Sequence, residues 1–421
     1  MRFLHAADLH LDSPLRGLSR YEGCPEDDAR TATRRAFENL VRLALDEAVD
    51  IVLLAGDIFD GDWKDWNTGL FFASQLSRLV RAGIPVVAVS GNHDATSILT
   101  RELRWPDAVT YCRADEPSTV RFEALRLAVH GHGYASRWEH EDLSRTYPTP
   151  IPGWANVGLL HTSAEGHPAH ATYAPCRVAD LVAKGYAYWA LGHVHEHAVL
   201  ARDPWVVFPG CLQGRHVGES GPKGCVLVTM GEDRVTNVRF EAVDVLRWAT
   251  VTIAVDDCAS RAAVLDRVAV AATEASHATE GRVLALRFRL EARANRSALY
   301  WGDDEWWVNN LRSTCTEVAT GPVWLETVRF HQSAAAPSPP PGLATLVHAA
   351  ASIEPAALAA ALAQTPEWAR AQQCLEVVPA PIRQDAFHLD DPSTVARLVQ
   401  EAEALVDTRC TPRPPETRGE V

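Results

Sequence analysis

Lysine is nearly absent from this chain, standing only at Lys64, Lys184 and Lys223, and arginine carries almost all of the positive charge. With 40 Lys and Arg against 54 Asp and Glu, the formal charge is −14. That balance argues against a protein that grips nucleic acid through a broad basic surface, because phosphate neutralisation is the main source of such affinity. A nucleic-acid substrate would need something else to hold it. No stretch approaches the ~20 apolar residues that span a bilayer, and the opening MRFLHAADLH lacks the apolar run of a signal peptide. The expectation is a soluble, cytoplasmic protein with no membrane partner. Nine cysteines, an odd number, are scattered from Cys24 to Cys410 without a C-x-x-C pair. This fits neither a disulfide framework nor a zinc knuckle and agrees with a reducing compartment.

At 421 residues, 47% hydrophobic and 22% charged, the chain has ordinary globular composition and room for two or three domains. Residues 1–245 alternate short apolar runs with helical patterns, as in DIVLLAG (50–56), the amphipathic GLFFASQLSRLVRAG (69–83) and IPVVAVSG (84–91). Strands of four to eight residues alternating with helices predict a layered α/β domain. From residue 246 the rhythm changes to strand (246–255), Ala-rich helix (259–279), strand (282–292), helix (303–317) and strand (323–330), a small α+β domain over 246–333. AAAPSPPPG supplies a proline-rich linker at 334–342. Helical pieces follow over 343–408, the second with Asp391 or Ser393 as N-cap, and a Pro- and Arg-rich tail at 409–421 reads as disordered.

Five apolar, strand-like runs end in or beside metal-binding residue types. RFLHAADLH delivers Asp8 and His10, IVLLAGDIFD delivers Asp57 and Asp60, VVAVSGNHD delivers Asn92, His93 and Asp94, NVGLLH delivers His161, and YWALGHVH delivers His193 and His195. In open α/β sheets ligands bind beyond the carboxyl ends of strands, so these five ends can converge on one site. Gly56, Gly91 and Gly192 precede three of the turns, where a tight bend is expected to need freedom in φ. Each piece alone has an ordinary structural reading, a turn, a cap or a hydrogen-bonded core histidine. Together the Asp, Asn and His donors, with no thiolate, suit manganese, iron or zinc, and they exceed what one ion needs. Two divalent ions carry about +4, which two aspartates, a hydroxide and a phosphodiester nearly neutralise, so a phosphoester substrate is expected. ALGHVHEH also sets His197 two residues beyond His195, as if three imidazoles shared one face of an extended chain.

The ordered set DLH, GDIFD, GNHD, LLHTS and GHVH resembles the calcineurin-like metallophosphoesterase superfamily. LHAADLHLDSPLRGL, HTSAEG, YAYWALGHVHEH and FPGCLQGRHVGESGPKG are similar to the bacterial SbcD-type DNA repair exonucleases, especially their YhaO-like branch. The resemblance implies a four-layer αββα sandwich over 1–245, a capping domain over 246–333 and a partner-binding helical region over 343–408. It further implies that Asp8, His10, Asp57 and His195 hold a first ion, and that Asp57 as bridge, Asn92, His161 and His193 hold a second. The ions would be two divalent metals, manganese first, with iron or zinc as alternatives. His93 would then act on the leaving oxygen, with Asp60 orienting it, and Asp94 would support the loop. Arg16, Arg215 and His216 stand in family-like loops as phosphate contacts.

The resulting expectation is a metal-dependent DNA nuclease that hydrolyses phosphodiester bonds by a two-metal mechanism. Its partners would be DNA, a coiled-coil ATPase of the SbcC or SMC-like type docked on Leu358, Leu362, Val395, Leu398 and Val399, and a second copy of itself through the helix bearing Phe71, Phe72, Leu76 and Leu79. Trp63 and Trp66 can stack on bases or anchor their loop, and His130 and His132 read as structural. The rivals are a phosphomonoesterase or nucleotide phosphodiesterase of the same superfamily and a non-catalytic scaffold. Gly61 and Asp62 follow GDIFD where the protein phosphatases of the superfamily usually carry Arg-Gly, which weighs against that branch.

Overall fold

In a computed structural model of the chain the described residues are 1–15, 26–60, 65–97, 104–165, 173–231, 234–293, 304–319, 321–333 and parts of 349–400. The first sheet runs in the order β12 (Val235–Ala242), β11 (Gly224–Met230), β1 (Arg2–Ala6), β2 (Ile51–Leu54), β3 (Val86–Ala88) and β4 (Val109–Tyr111). Strands β1 to β4 are parallel, and β11 and β12 join antiparallel beside β1. The second sheet is β5 (Ser118–Phe122), β6 (Leu127–His132), β7 (Ala155–His161), β8 (Tyr188–Gly192), β10 (Trp205–Phe208) and β9 (Ala198–Arg202). Here β6, β7, β8 and β10 are parallel, with antiparallel β5 and β9 at the edges.

The two-residue side-chain period of a strand builds the layers. Leu4, Ala6, Val52, Leu54, Val86 and Ala88 face outward onto helices α1 (Glu26–Asp46) and α2 (Trp66–Arg81). Their alternates Phe3, Ile51, Leu53 and Val87 face inward against Val129, Val157, Leu159, Tyr188 and Ala190 of the second sheet. On the far side, Leu160, Trp189 and Leu191 pack with Tyr147 and with Leu181 of helix α3 (Val178–Ala183). The result is the four-layer αββα sandwich. Strands buried on both faces explain why the sequence shows continuous apolar runs rather than alternation.

Helix α2, with apolar residues over much of its circumference, packs most of them inward: Phe72, Leu76 and Leu79 are fully buried under the first sheet and Phe71 packs against the same core. The exposed apolar residues of α2 are Trp66 and Leu70, one turn apart, at 47% and 63% exposure.

A third sheet orders β13 (Leu246–Ala254), β14 (Val283–Arg293) and β15 (Val323–Ser333) side by side. Parallel pairing of β13 and β14 requires a crossover, which helix α4 (Arg261–His277), N-capped by Ser260, supplies. Helix α5 (Asp304–Val318) brings Trp307 and Leu311 onto a core of Val264, Val268, Leu286, Phe288 and Leu290. These elements fall within a few residues of those expected from the sequence rhythm.

The chain divides into two compact units, the first spanning Met1–Ala292 and continuing to His331, the second holding Gln332–Val421. In the second, helix α6 (Pro355–Leu362) starts at Glu354, whose side chain caps Ala356 N, and Leu358 and Leu362 are half-buried. Val395 is buried and Leu398 and Val399 are half-buried in short helical pieces. The linker at 334–342, the start of the helical region at 343–348, the caps at Asp391 and Ser393, and the tail at 409–421 lie outside the described residues. Among the described residues no helix is long and apolar enough to cross a membrane.

Candidate metal centre

Strands β1, β2 and β3 lie side by side and parallel, and so do β7 and β8, so all five motif-bearing strands end at the same edge of the sandwich. Two contacts sew the sheets together there. His193 N donates to Asp8 Oδ2 at 2.9 Å, and His161 Nδ1 donates to the carbonyl of Ala55 at 2.9 Å. The chain bends sharply at this edge: Asp8, His10, Asp57 and His193 all have positive φ, at 52°, 43°, 51° and 108°. Non-glycine residues there cost about 1–3 kcal/mol each and persist where surrounding structure over-determines them. Gly56 shares this conformation, at φ 90°. Gly91 and Gly192 do not, which corrects the expected reason for them. They are needed for room, since a Cβ would collide with Asp57 Oδ1 at Gly91 and with the carbonyl oxygen of Ala55 at Gly192.

Each aspartate is tied by one oxygen and presents the other. Asp57 Oδ1 accepts from His93 N at 2.9 Å, leaving Oδ2 at 3.5 Å from His161 Nε2 and 3.9 Å from His10 Nε2. Asp8, tied through Oδ2, has a buried Oδ1 with no hydrogen-bond partner, 3.5 Å from His195 Nε2. His10 Nε2 and His195 Nε2 face each other at 3.3 Å, and His161 Nε2 lies 3.1 Å from Asn92 Oδ1. Donors sharing one ion through ~2.0–2.1 Å bonds stand about 3.0–3.5 Å apart, so this set fits divalent cations. Asp8, His10 and His195 form one cluster, and Asp8, Asp57 and His161 another, with Asn92 and the His193 ring (5.2 Å from the His161 ring) beside the second. Asp57 touches both groups.

His93 is 28% exposed on its side chain, and its Nδ1 meets Asp60 Oδ1 at 2.9 Å. Burial works against a charge on this imidazole, but the Asp60 and Asp57 carboxylates outweigh it and raise its pKa above the ordinary value. Asp60 is itself held by Ser13 Oγ at 2.8 Å, and burial is overcome by His10, His93 and Ser13, which keep its carboxyl well below the usual range. Asp94 stands apart from the pocket. It is fully buried and accepts from Ile58 N, Phe59 N and Gly91 N, clamping the loop after β2 to the loop after β3.

The other candidates sort as follows. Arg215 is turned inward, its Nη2 3.3 Å from Glu219 Oε1 and its Nη1 3.3 Å from Ser13 Oγ. His216 is 44% exposed on its side chain and accepts from Gly218 N. Arg16 and Trp63 lie outside the described residues. His130 bridges Thr119 and Asn156, and His132 meets Thr146, both away from the pocket as expected. His197 does not join His193 and His195. Strand β8 ends at Gly192, so the alternation of an extended chain does not apply, and His197 Nδ1 donates to the carbonyl of Phe208 while its ring packs on Phe240.

Sequence reasoning missed Glu219, whose Oε1 lies 2.7 Å from His195 Nδ1. Burial lowers the tendency of His195 to charge, but Asp8 and Glu219 on its two nitrogens push its pKa up to about 9. The signal was present only as an acid in the conspicuous loop GRHVGES, with no spacing rule to join it to a histidine 24 residues earlier. Ser13 and Asp12 were missed as well. Asp12 anchors the loop after β1 by pairing with Arg34 of α1 and Thr68 of α2.

A seam between two sheets, with carboxylate, amide and imidazole donors at five strand ends, defines a divalent-metal phosphoesterase centre. The comparisons agree: residues 1–197 match the calcineurin-like phosphoesterase family, and the chain belongs to that superfamily. Residues 248–333 match the middle domain of metallophosphoesterase YhaO, placing the chain with the YhaO-like members. An uncharacterized metallophosphoesterase YhaO of Bacillus subtilis is 34% identical over 272 residues, 64% of this chain and 66% of that protein. The DNA double-strand break repair protein Mre11 of Methanopyrus kandleri is 26% identical over 46% of this chain and 44% of its own length. Its namesake in Sulfurisphaera tokodaii is 24% identical over 60% and 65%. The matches thus span about two thirds or less of each relative.

Proposed function

We propose that this phosphoesterase is a DNA nuclease of the SbcD type, cleaving phosphodiester bonds with two divalent ions, manganese foremost. The observation that carries the reading is the pair of donor clusters, with Asp8 in both and Asp57 Oδ2 facing both His10 and His161, beside His93 held at Nδ1 by Asp60. Asp8, His10, Asp57 and His195 would hold one ion, and Asp57, Asn92, His161 and His193 the other. Such a pair of ions supplies an activated water and charge stabilisation for an in-line displacement at phosphorus. His93 contributes a proton to the leaving oxygen from Nε2, since Asp60 occupies Nδ1 and favours the protonated ring. DNA as substrate is supported by the repair proteins among the relatives and by the residues after GDIFD, where Gly61 and Asp62 replace a phosphatase's Arg-Gly. The acidic chain would then rely on its ions, its capping sheet and a coiled-coil ATPase partner to retain DNA, working as a dimer in the cytoplasm.

The test compares linear duplex DNA, single-stranded DNA and p-nitrophenyl phosphate in manganese, with and without a copurifying ATPase, for wild type, His93→Ala and Asp57→Ala. Cleavage of DNA that drops ~10²–10⁴-fold in His93→Ala with manganese still bound is the expected result. A manganese-loaded wild type that turns over only the monoester would sink the nuclease reading.

A further inference from the structure

Between β10 and β11 the chain reads GCLQGRHVGESGPK, residues 210–223. This loop grips His195 at both its carbonyl and its ring. The backbone carbonyl of His195 accepts from Lys223 Nζ at 3.1 Å and from Cys211 N at 3.3 Å, while its Nδ1 donates to Glu219 Oε1 at 2.7 Å. A carboxylate only accepts, so it requires a proton on Nδ1 and leaves Nε2 as the nitrogen that faces Asp8 Oδ1 and His10 Nε2. Glu219 is fixed in turn, its Oε2 taking Arg215 N at 2.6 Å and its Oε1 facing Arg215 Nη2. The far arm of Arg215 reaches Ser13 Oγ, Ser13 donates to Asp60 Oδ2, and Asp60 holds His93. One continuous chain, His195–Glu219–Arg215–Ser13–Asp60–His93, therefore links the first ion's cluster to the candidate proton donor. The outer side of the same loop seats the third sheet, with Trp248 Nε1 donating to Gly214 O and Gly221 N donating to Trp248 O, both at 2.9 Å.

We propose that Glu219 is a positioning residue that holds His195 with Nε2 turned toward the first ion's cluster, and that Arg215 acts through Glu219 and Ser13 instead of touching the substrate phosphate. This rests on the two-ion reading of the centre but not on DNA being the substrate. Packing alone does not account for the arrangement, because an apolar side chain of the same size would leave His195 free to take the other tautomer or to turn its ring.

The test titrates manganese into the full-length chain by calorimetry for wild type, Glu219→Ala, Glu219→Gln and Arg215→Met, and reads the His195 tautomer by ring-nitrogen NMR of the metal-free protein at a pH where the ring is neutral. Two ions bind the wild type. In Glu219→Ala one of them weakens ~10–100-fold while the other is unchanged, and the Nδ1–H tautomer loses its dominance. Glu219→Gln, with the same shape but a weaker acceptor and no charge for Arg215, falls between the two and decides the matter should the alanine variant fail to fold. Arg215→Met lowers kcat on bis-p-nitrophenyl phosphate and leaves KM within about 2-fold, whereas a direct phosphate contact would raise KM. A folded Glu219→Gln that binds both ions as wild type does, with the tautomer unmoved, overturns the role of Glu219. A wild type that binds fewer than two ions overturns the reading of the centre beneath it.

Discussion

His161 and His195 present the same atom to the same seam, yet they are held by different means. His161 gives its Nδ1 proton to the main-chain carbonyl of Ala55, in the turn that leaves β2, whereas His195 gives its own to the side chain of Glu219. The carbonyl is part of the sheet's framework, so no side-chain substitution at its partner residue removes it. The carboxylate belongs to a loop and can be removed by changing one residue. The histidine of the second cluster is therefore held by the backbone, and that of the first by a side chain from the loop that also receives the third sheet. A centre of this design can be altered at one ion while the other stays in place.

The largest effect should come where the two clusters meet. Asp57→Ala removes the carboxylate whose Oδ2 lies 3.9 Å from His10 Nε2 and 3.5 Å from His161 Nε2, and manganese stoichiometry should fall at both positions together, with activity reduced ~10³-fold or more. Loss of a single ion in this variant would show that Asp57 does not bridge. Gly192→Ala strikes the backbone-held side. Its Cβ would collide with the Ala55 carbonyl that orients His161, so overpacking should cost about 1–3 kcal/mol in thermal or denaturant unfolding, and the second ion should weaken before the first. The reverse order would erase the contrast drawn above.

A pH measurement sharpens it further. In the metal-free protein the pKa of His195 lies above its ordinary value, near 9, so at pH 7 the ring carries a proton that a cation must displace. Calorimetry in buffers of different ionisation enthalpy should detect about one proton released from this residue on binding at pH 7, fading as pH rises past about 9. The first ion's affinity should climb over the same window. Release that does not change between pH 7 and 10 would contradict the sign. The smallest effect is expected at His197→Ala, which should leave binding of both ions within about 2-fold of wild type, because its Nδ1 serves the Phe208 carbonyl.

Much of the site was legible in one dimension because ligands at the ends of parallel strands are adjacent in space whenever their strands are adjacent in a sheet. Asp8, Asp57, Asn92, His161 and His193 could be picked from their place after apolar runs, and the sheet order brings those runs together. Glu219 could not, since it sits in an irregular loop where no period relates sequence spacing to position. The roles of Gly91 and Gly192 were equally hidden: the sequence shows that a small residue stands there, while only the neighbouring Asp57 and Ala55 show that the constraint is space rather than φ. For α2 the pattern announced a heavily apolar helix but could not say that Phe72, Leu76 and Leu79 spend that surface on the core and leave Trp66 and Leu70 outside.

The sequence by itself determined the chemistry, namely oxygen and nitrogen donors without thiolates, in a fixed order at strand ends, within a chain too acidic to rely on a basic surface. The tertiary structure decided which atoms of those donors are free. It bent Asp8, His10, Asp57 and His193 into left-handed backbone, tied one oxygen of each aspartate to a backbone N–H, and assigned a partner to the Nδ1 of His161, His195 and His93. The reason is that a donor's residue type is local, whereas its direction and protonation are set by the groups packed against it, and those arrive from the other sheet for Asp8 and His161, from a neighbouring strand end for Asp57 and His93, and from a loop for His195.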